Sequence, residues 1–425
     1  MKVELTSGMM HEVINIKDEH VAGIIHPEAS QTGLLFTDDM LVQAIDNPIN
    51  SPSLESRAKL STKVAIIVDD ATRPTPTRRI IPIILQKLSV AGIKDNNISI
   101  IIGTGLHRPT TDEERKKILG SDILSRFDVS DNNARNPDDF ELAGTIVGGK
   151  EIYLNKRILK ADLVISIGVV KSHAFAGFTG GAKSILPGVT SQRTIHENHS
   201  FYNIEYPRGV LGSCEMSATR AEMEAAAKLV NPFIVNVVLT GSGEIIFAAA
   251  GDVVDAHRAA VNFYKRIAAR TINEEVDIAI VHGGLAGSIN FYQALFGCNV
   301  VKTTERPILK KNGIVILFAE CREGTGSILF EQVMPAFSTP DEILKFLSAN
   351  KTFDDQWAIQ FLATFLRDIK VFVVSKGISA KTAEILRVKL FNSANEAVNE
   401  AINLAGPNYR LAIIENPDIL IVNLA

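Results

Sequence analysis

Short runs of consecutive apolar residues recur in the first half of the chain, and each run ends in a polar loop. Runs of this kind are typical of strands that are buried on both faces of a parallel sheet. They predict strands at Val64 to Val68, Ile98 to Ile102 and Leu163 to Ile167, with a helix from Thr77 to Ala91 between the first two. Because buried strands alternate with helices, this half of the chain predicts an α/β unit with a parallel sheet.

The same alternation returns in the second half, after the polar segment Thr271 to Glu275. The strands and helices predicted there are Ile278 to Val281, Ile314 to Phe318, Asp341 to Ser348, Val371 to Val374, Ala380 to Val388, Ala394 to Leu404 and Ile419 to Val422. We therefore expect an α/β protein with two α/β domains, residues 1–272 and 273–425. A ligand cleft is expected between them, because such clefts are common small-molecule sites.

Elements of a different kind are predicted between these two units. Phe233 to Leu239 and Glu244 to Ala248 flank a Gly-Ser-Gly turn and predict a hairpin. A Thr-x-x-Glu pair that begins at Thr219 predicts the capped start of an alanine-rich helix. The helix predicted at Asp252 to Ala269 has the periodicity of an ordinary surface helix, and its His257 is interpreted as structural.

Composition and charge narrow the classes of function. The 425 residues are 46% hydrophobic and 22% charged, which is typical of a globular protein with more than one domain. The net charge of −4 gives no electrostatic footprint for nucleic acid, and no apolar run approaches the length of a membrane span. The N-terminus has no apolar signal segment, and the three cysteines are widely spaced, which suits a reducing compartment. We therefore expect a cytoplasmic protein without nucleic-acid or membrane partners.

Three of the predicted strands run into loops that carry reactive side chains. The first loop reads DDATRPTP and holds Asp70 and Arg73, which taken alone also suit a plain turn. The second reads GTGLHRPT and holds His107; its spacing is not a dinucleotide fingerprint, which disfavours an NAD-dependent dehydrogenase. Because ligands of parallel sheets bind beyond the carboxyl ends of the strands, we expect the three loops to converge on one crevice.

The third loop is the richest in chemistry and reads KSHAFAGFTGGAKSILPGVTSQRTIHENH. Its glycines allow close approach of backbone to a ligand, histidine can bind a metal or transfer a proton, and a lysine among small residues can bond covalently to an acyl group. The candidate group is His173, Lys183, His196 and His199. His196 and His199 are three residues apart, so either both bind one metal or only one of them does.

These motifs, together with INFYQ in the second half, resemble those of the nickel-pincer lactate racemase family. The resemblance covers nearly the whole chain and rests on DDATRPTP, GTGLHRP, HAFAGFTGGAKSILPG and HENH. It implies a racemase or epimerase of a 2-hydroxycarboxylic acid that works by reversible hydride transfer. It also implies nickel and a pyridinium-3-thioamide-5-thiocarboxylic acid mononucleotide, made by separate cofactor-synthesis enzymes and held by the N-terminal domain.

The resemblance also implies a role for individual residues. Lys183 matches the covalent tether of the nucleotide and His199 matches the nickel ligand, with His196 as the rival. The two acid/base histidines match His107 and His173. The remaining matches are cofactor-binding residues, Asp70, Thr72, Gly103 and Gly105, and substrate-binding residues, Arg73, Phe175, Tyr292, Gln293 and Phe296.

One position departs from the pattern of the family. A lysine that helps to hold lactate follows three residues after the Gln of the Tyr-Gln pair, whereas here that position is Phe296 and the next lysine is Lys302. Exchange of a cation for an aromatic ring, with Phe175 as another apolar wall, predicts a substrate other than lactate, with a larger or more apolar side chain. Two alternatives stay open: a C2 epimerase of sugar acids, and a nucleotide- or nickel-binding homologue without turnover.

Overall fold

The first sheet lies in the N-terminal part of the chain. A computed structural model describes residues 1–26, 36–59, 61–205, 210–283, 287–417 and 421–425. In these residues the sheet has six strands, in the spatial order Ile245–Gly251, Phe233–Leu239, Leu163–Val169, Val64–Asp69, Ile98–Gly103 and Asp128–Asp131. All neighbours are parallel except Ile245–Gly251, which forms the predicted hairpin with Phe233–Leu239. The prediction of a parallel α/β unit is therefore confirmed.

The second sheet is formed mainly by the C-terminal part of the chain. Within the described ranges it also has six strands, all parallel, in the order Lys389–Phe391, Lys370–Val374, Leu309–Phe318, Val276–His282, Leu411–Ile414 and Val21–Ile25. Val21–Ile25 thus comes from the other end of the chain, which the sequence pattern did not anticipate. The domain limits at 272 and 273 stay a prediction.

Both sheets are covered on both faces, as their continuous apolar strands require. In the first sheet, Ile67 packs towards helices Ala218–Lys228 and Asp255–Ala268, whereas the next residue, Val68, packs towards helix Thr77–Val90. The second sheet is covered in the same way, by helices Phe291–Gly297, Pro340–Ala349 and Gln356–Asp368 on one face and by Ala394–Ala405 with the hairpin Lys2–Ser7 and Met10–Asn15 on the other. The result is two α/β units of three layers each.

Shorter elements complete the described chain. The further α-helices are Asp38–Asp46, Leu54–Lys59, Asp112–Leu119, Ser121–Arg126, Lys156–Leu159, Gln192–Asn198, Phe201–Glu205, Asn299–Lys302, Leu329–Val333 and Ala380–Leu386. The further strands are Phe140–Ile146, Lys150–Asn155, Ser172–His173, Gly177–Phe178, Ala269–Ile272 and Ile421–Leu424. Single 3₁₀ turns are Asp18–His20, Asp95–Asn97, Pro137–Asp139, Gly181–Ser184 and Met334–Ala336. Across the described ranges, no helix has the length and apolarity needed to cross a membrane.

Further details differ from the sequence prediction. Helix Gln356–Asp368 was not predicted, although its face towards the second sheet is apolar. Ser217, rather than Thr219, caps helix Ala218–Lys228 by accepting from the backbone N–H of Arg220. The first two residues of the last predicted strand, 419 and 420, lie outside the described residues, and the strand observed is Ile421–Leu424.

Candidate active site

The three loops that follow strands of the first sheet meet helix Phe291–Gly297 around one cavity of about 190 Å³. All of the residues to which the resemblance assigns a role line it: Asp70, Thr72, Arg73, Gly103, Gly105, His107, His173, Phe175, Lys183, His199, Tyr292, Gln293 and Phe296. His196 is not among the lining residues. The expected convergence of the loops is therefore present, and the second half of the chain contributes one wall.

Asp70 and His107 bring the first two loops together. Oδ2 of Asp70 lies 2.6 Å from Nδ1 of His107, and Oδ1 of Asp70 accepts from the backbone N–H of Thr72 at 3.0 Å. Burial opposes ionisation of Asp70, but the bonds from His107 and Thr72 and the charge of Arg73 outweigh it and hold its pKa well below the usual range. A carboxylate accepts, so Nδ1 of His107 donates and Nε2 is the ring nitrogen that remains to accept a proton.

His173 has the opposite arrangement. Its Nδ1 accepts from the backbone N–H of Ala176 at 3.3 Å, so the neutral ring carries its proton on Nε2. Burial, followed by the charges of Lys183 and Arg73, lowers the pKa of His173 well below its usual value. The ring of Phe175 lies 4.6 Å from that of His173, centroid to centroid, and supplies an apolar wall. Both histidines therefore line the cavity, but their rings carry the proton on different nitrogens: on Nδ1 in His107 and on Nε2 in His173.

Lys183 lies in the 3₁₀ turn Gly181–Ser184 and reaches the cavity. It pairs with no carboxylate of the described chain within 4.0 Å. Burial, with the charges of Arg73 and Arg220, lowers its pKa to about 7. A large fraction of the amine is therefore uncharged near neutral pH, which is the form that attacks an acyl carbon.

His199 ends helix Gln192–Asn198, and its ring lies between two aromatic rings, those of Phe175 at 4.9 Å and Trp357 at 5.2 Å. Burial, together with the charge of Lys183, lowers the pKa of His199 to about 3, so the imidazole is neutral and able to bind a metal. His196 faces away from the cavity, and its Nε2 lies 2.7 Å from Oδ1 of Asp354. Geometry thus favours His199 over His196 as a metal ligand.

Buried side chains form hydrogen bonds with the irregular backbone of residues 175–181 and hold it in place. Arg220 is fully buried and donates to the carbonyls of Ala176 and Gly180, both at 3.1 Å, and of Phe178. His257, which the sequence pattern left as an ordinary helix residue, is fully buried as well. The remaining bonds run from His257 to the carbonyl of Thr179 (2.9 Å), from Ser217 to that of Phe175 (2.6 Å), and from the N–H of Gly181 to Asn236 (2.8 Å). Buried backbone must be satisfied in this way, and the loop is fixed as a result.

Glycine is required where this loop passes over His257. Gly181 has a φ of 57°, and a Cβ atom there would lie 2.7 Å from Cγ of His257. A larger residue would therefore strain the backbone and displace the helix beneath it. The glycine-rich sequence that suggested close approach to a ligand is thus needed, at this position, for close approach to the protein's own core.

Two cavity residues offer donors for an anionic, polar ligand. Arg73 donates to the backbone oxygen and Oγ1 of Thr72, at 3.2 and 3.1 Å, and pairs with no carboxylate of the described chain. The hydroxyl oxygen of Tyr292 accepts from Nε1 of Trp357 at 2.5 Å, which leaves its O–H to donate elsewhere. Burial and the charge of Asp355 raise the pKa of Tyr292, so the phenol keeps its proton. Arg73 and Tyr292 can therefore both bind a carboxylate or hydroxyl.

An aromatic patch forms the other side of the cavity. Phe296 lies 5.2 Å from Tyr292 and 5.3 Å from Phe361, and Phe361 lies 6.2 Å from Phe175, all between ring centroids. Lys302, the next lysine along the chain, is 4.0 Å from Asp368 and does not line the cavity. The position at which the resemblance leads us to expect a substrate-binding cation is therefore apolar here.

Trp357 and Ser184 are among the cavity residues that were not predicted from the sequence. Trp357 is the only tryptophan of the chain and lines the cavity from the unpredicted helix Gln356–Asp368. Ser184 lines it beside Lys183, and its hydroxyl is buried without a hydrogen-bond partner in the described residues. A lone Trp in an apolar helix was a usable signal, whereas nothing local distinguishes Ser184.

Comparisons with known proteins cover most of the chain and agree with one another. Residues 8–211 match the Lactate racemase N-terminal domain and residues 271–422 match the Lactate racemase C-terminal domain. The chain is 33% identical to the lactate racemase of Thermoanaerobacterium thermosaccharolyticum over 95% of its length and 94% of the relative's. It is also 33% identical to that of Lactiplantibacillus plantarum over 94% of both chains.

Solved structures give the same result. The lactate racemase apoprotein of Thermoanaerobacterium thermosaccharolyticum superimposes with a TM-score of 0.91 at 30% identity, over 100% of both chains. A crystal structure of a Thermotoga maritima protein superimposes with a TM-score of 0.68 at 16% identity, over 92% of this chain and 99% of the other. At that identity the second likeness shows the fold alone.

Proposed function

The chain belongs to the lactate racemase family and is a racemase of that type, and on this premise we propose that it inverts C2 of a 2-hydroxycarboxylic acid other than lactate by reversible hydride transfer. The observation that carries the proposal is the meeting of His107, His173, Lys183 and His199 in one cavity with Arg73. A site for binding alone would need Lys183 and His199, but it would have little need of two further imidazoles.

We propose that the site holds a nickel-pincer nucleotide, with Lys183 as its covalent tether and His199 as a nickel ligand. Three features of the residues fit: an amine with a pKa of about 7, a buried neutral imidazole, and the unpartnered hydroxyl of Ser184 beside the tether. In the described residues no group of three His, Cys, Asp or Glu side chains could hold a metal ion, so nickel here would depend on donors from the nucleotide. When bound, this group supplies an acceptor for a hydride from C2 of the substrate.

The side chains position the substrate and move its hydroxyl proton. Arg73 binds the carboxylate, and Tyr292 with Gln293 orients the substrate from the opposite wall. Nε2 of His107 is free to accept the hydroxyl proton of one enantiomer as a general base. His173 serves the enantiomer whose hydroxyl points the other way in the tautomer with the proton on Nδ1, which gives up the bond from the N–H of Ala176 and leaves Nε2 bare. Removal of the C2 hydrogen as a proton would place a carbanion beside a carboxylate, which the neutral imidazoles are poorly placed to stabilise.

The aromatic patch argues for the class of substrate. Burial of an apolar side chain against Phe296 and Phe175 is favourable at roughly 25 cal/mol per Å², whereas the extra hydroxyls of a sugar acid would lose water there without gaining partners. We therefore propose a 2-hydroxy acid with a larger apolar or aromatic side chain. The partners that this implies are the small acid itself and the enzymes that make the cofactor.

A racemisation assay with isotope-labelled substrates tests the proposal. Protein produced together with cofactor-making enzymes is given single enantiomers of lactate, malate, aromatic lactates and aldonates, each carrying deuterium at C2. We expect the fastest inversion with an aromatic or branched apolar acid, and we expect deuterium to stay at C2, because a hydride does not exchange with water. Wash-out of the label would indicate proton abstraction instead, and lactate or an aldonate as the best substrate would contradict the proposed specificity.

A further inference from the structure

The residue that precedes His199 makes hydrogen bonds through its whole side chain. Asn198 is 1% exposed, and its Nδ2 donates to the backbone oxygen of Thr219 at 3.1 Å and to Oε2 of Glu222 at 2.9 Å. Its Oδ1 lies 3.0 Å from Nδ1 of His199. The two acceptors belong to the first turns of helix Ala218–Lys228, so this helix fixes the amide from outside the cavity.

The orientation of this amide follows from its partners. A backbone carbonyl and a carboxylate can only accept, so the –NH₂ end of Asn198 must face Thr219 and Glu222. The reversed amide would set its oxygen against both acceptors and lose two bonds. Lys150 donates to the other oxygen of Glu222 at 2.5 Å, so both oxygens of this side chain act as acceptors. Oδ1 of Asn198 therefore faces His199, and Nδ1 of His199 must be the donor of the bond between them.

The proton on Nδ1 decides what His199 can do. A neutral imidazole carries one proton, so Nε2 of His199 has the free lone pair that a metal needs. A metal-binding histidine commonly has its second nitrogen held in this way by a neighbouring acceptor. We infer that Asn198 is a positioning residue, which holds His199 in the tautomer that binds a metal through Nε2. The link to nickel rests on the proposed function, whereas the tautomer does not.

The tautomer is measurable in the protein without any cofactor. Nitrogen-15 NMR of histidine-labelled protein distinguishes protonated from bare ring nitrogens, and His199→Gln assigns the signals of His199. We expect a protonated Nδ1 and a bare Nε2 in the wild type, and a mixture or reversal in Asn198→Ala. Asn203→Ala is the matched control, since Asn203 donates to the backbone oxygen of Asn198 at 2.9 Å but does not bond to His199. A protonated Nε2 in the wild type, or no change in Asn198→Ala, would overturn the inference.

A paired exchange keeps the test decisive if Asn198→Ala fails to fold. Asn198→Asp together with Glu222→Gln keeps an acceptor towards His199 and reverses the donor and acceptor between positions 198 and 222, while the bond to the backbone oxygen of Thr219 is lost. We expect this double variant to show the wild-type tautomer, and a protonated Nε2 in it would overturn the inference.

Nickel retention provides the second readout. In protein loaded with cofactor, we expect Asn198→Ala to lose nickel to a chelator about 10–100-fold faster than the wild type, and Asn203→Ala to behave as the wild type. Equal rates for Asn198→Ala and the wild type would overturn the inference. If the tautomer changes as expected but no variant, wild type included, ever acquires nickel, the role of Asn198 is supported and the proposed cofactor is contradicted. The two failures can therefore be told apart.

Discussion

Nδ1 of His107 and Oδ2 of Asp70 are 2.6 Å apart, and Thr72 occupies the other oxygen of the same carboxylate. Each oxygen of Asp70 thus accepts from a different loop residue, and the ring of His107 is held in the tautomer with a bare Nε2. The carboxylate sets the state of the proposed general base, although it need not touch the substrate.

Asp70→Asn is expected to reverse that tautomer. The N–H of Thr72 still requires an acceptor, so the amide oxygen takes the Thr72 side and the –NH₂ group faces Nδ1 of His107, which leaves the proton on Nε2. We expect kcat to fall by roughly 10²–10⁴-fold, the usual contribution of a general base. Glu114→Gln is the control, because Glu114 forms an ion pair with Arg108, the residue after His107, and does not line the cavity. Equal losses in both variants would contradict this role of Asp70.

Lys183 is expected to react with acylating reagents at unusually low pH. Its pKa is lowered to about 7, so the uncharged, reactive amine predominates above pH 7 and is lost as the pH falls below it. Peptide mass spectrometry after brief acetylation of the protein without cofactor should give a midpoint near pH 7 for Lys183. Exposed lysines should still be gaining reactivity near their usual pKa of about 10.4. A midpoint near the usual lysine pKa of about 10.4 for Lys183 as well would contradict the proposal that its surroundings lower its pKa and so make it reactive as the tether.

Phe296→Lys is expected to change the preferred substrate. The new cation would supply the charge that the resemblance leads us to expect at this position and remove the apolar contact. The ratio of kcat/KM for lactate to that for an aromatic acid should therefore rise by about 10-fold or more. Phe296→Leu is the matched control and should keep the preference for apolar acids. If the ratio of the kcat/KM values is unchanged in Phe296→Lys, Phe296 does not determine the substrate specificity.

Arg220→Met is expected to destabilise the protein, although Arg220 does not line the cavity. It removes the bonds of a charged donor to three loop carbonyls, of which those of Ala176 and Gly180 keep a backbone donor each. Each lost bond costs about 1.5–3 kcal/mol, partly offset because a buried charge is also removed. We expect the free energy of unfolding to fall by about 3 kcal/mol in chemical denaturation. Arg193→Met, at a side chain that is 60% exposed, should change it by no more than about 1 kcal/mol. A similar small change in Arg220→Met would mean that the loop does not depend on this guanidinium.

Much of the fold and of the cavity could be predicted from the sequence. Continuous apolar runs such as Val64 to Val68 identify strands that are covered on both faces, and parallel strands bring their following loops to one edge of the sheet. The convergence of Asp70, His107 and Lys183 follows from this rule alone. The roles of the residues required the resemblance to a known family.

The remaining features depend on contacts between distant parts of the chain. Val21–Ile25 reads as a short apolar run, and only its pairing with Leu411–Ile414 places it in the second sheet. The choice between His196 and His199 depends on Asp354, which is 158 residues from His196 and draws it away from the cavity. Arg220 carries no local signal, because its partners are the carbonyls of a loop about 40 residues earlier in the chain. The periodicity of apolar residues shows which face of a helix or strand is buried. It does not show which distant polar side chain hydrogen-bonds to the backbone of a buried loop.

The most direct test of the central claim is the intact mass and nickel content of the protein made together with cofactor-synthesis enzymes. Lys183→Ala is the variant to compare, with Lys302→Ala as a lysine control outside the cavity. We expect a mass excess and bound nickel in the wild type and in Lys302→Ala, and neither in Lys183→Ala. Wild-type protein with no adduct and no nickel, or an adduct that persists in Lys183→Ala, would contradict the account.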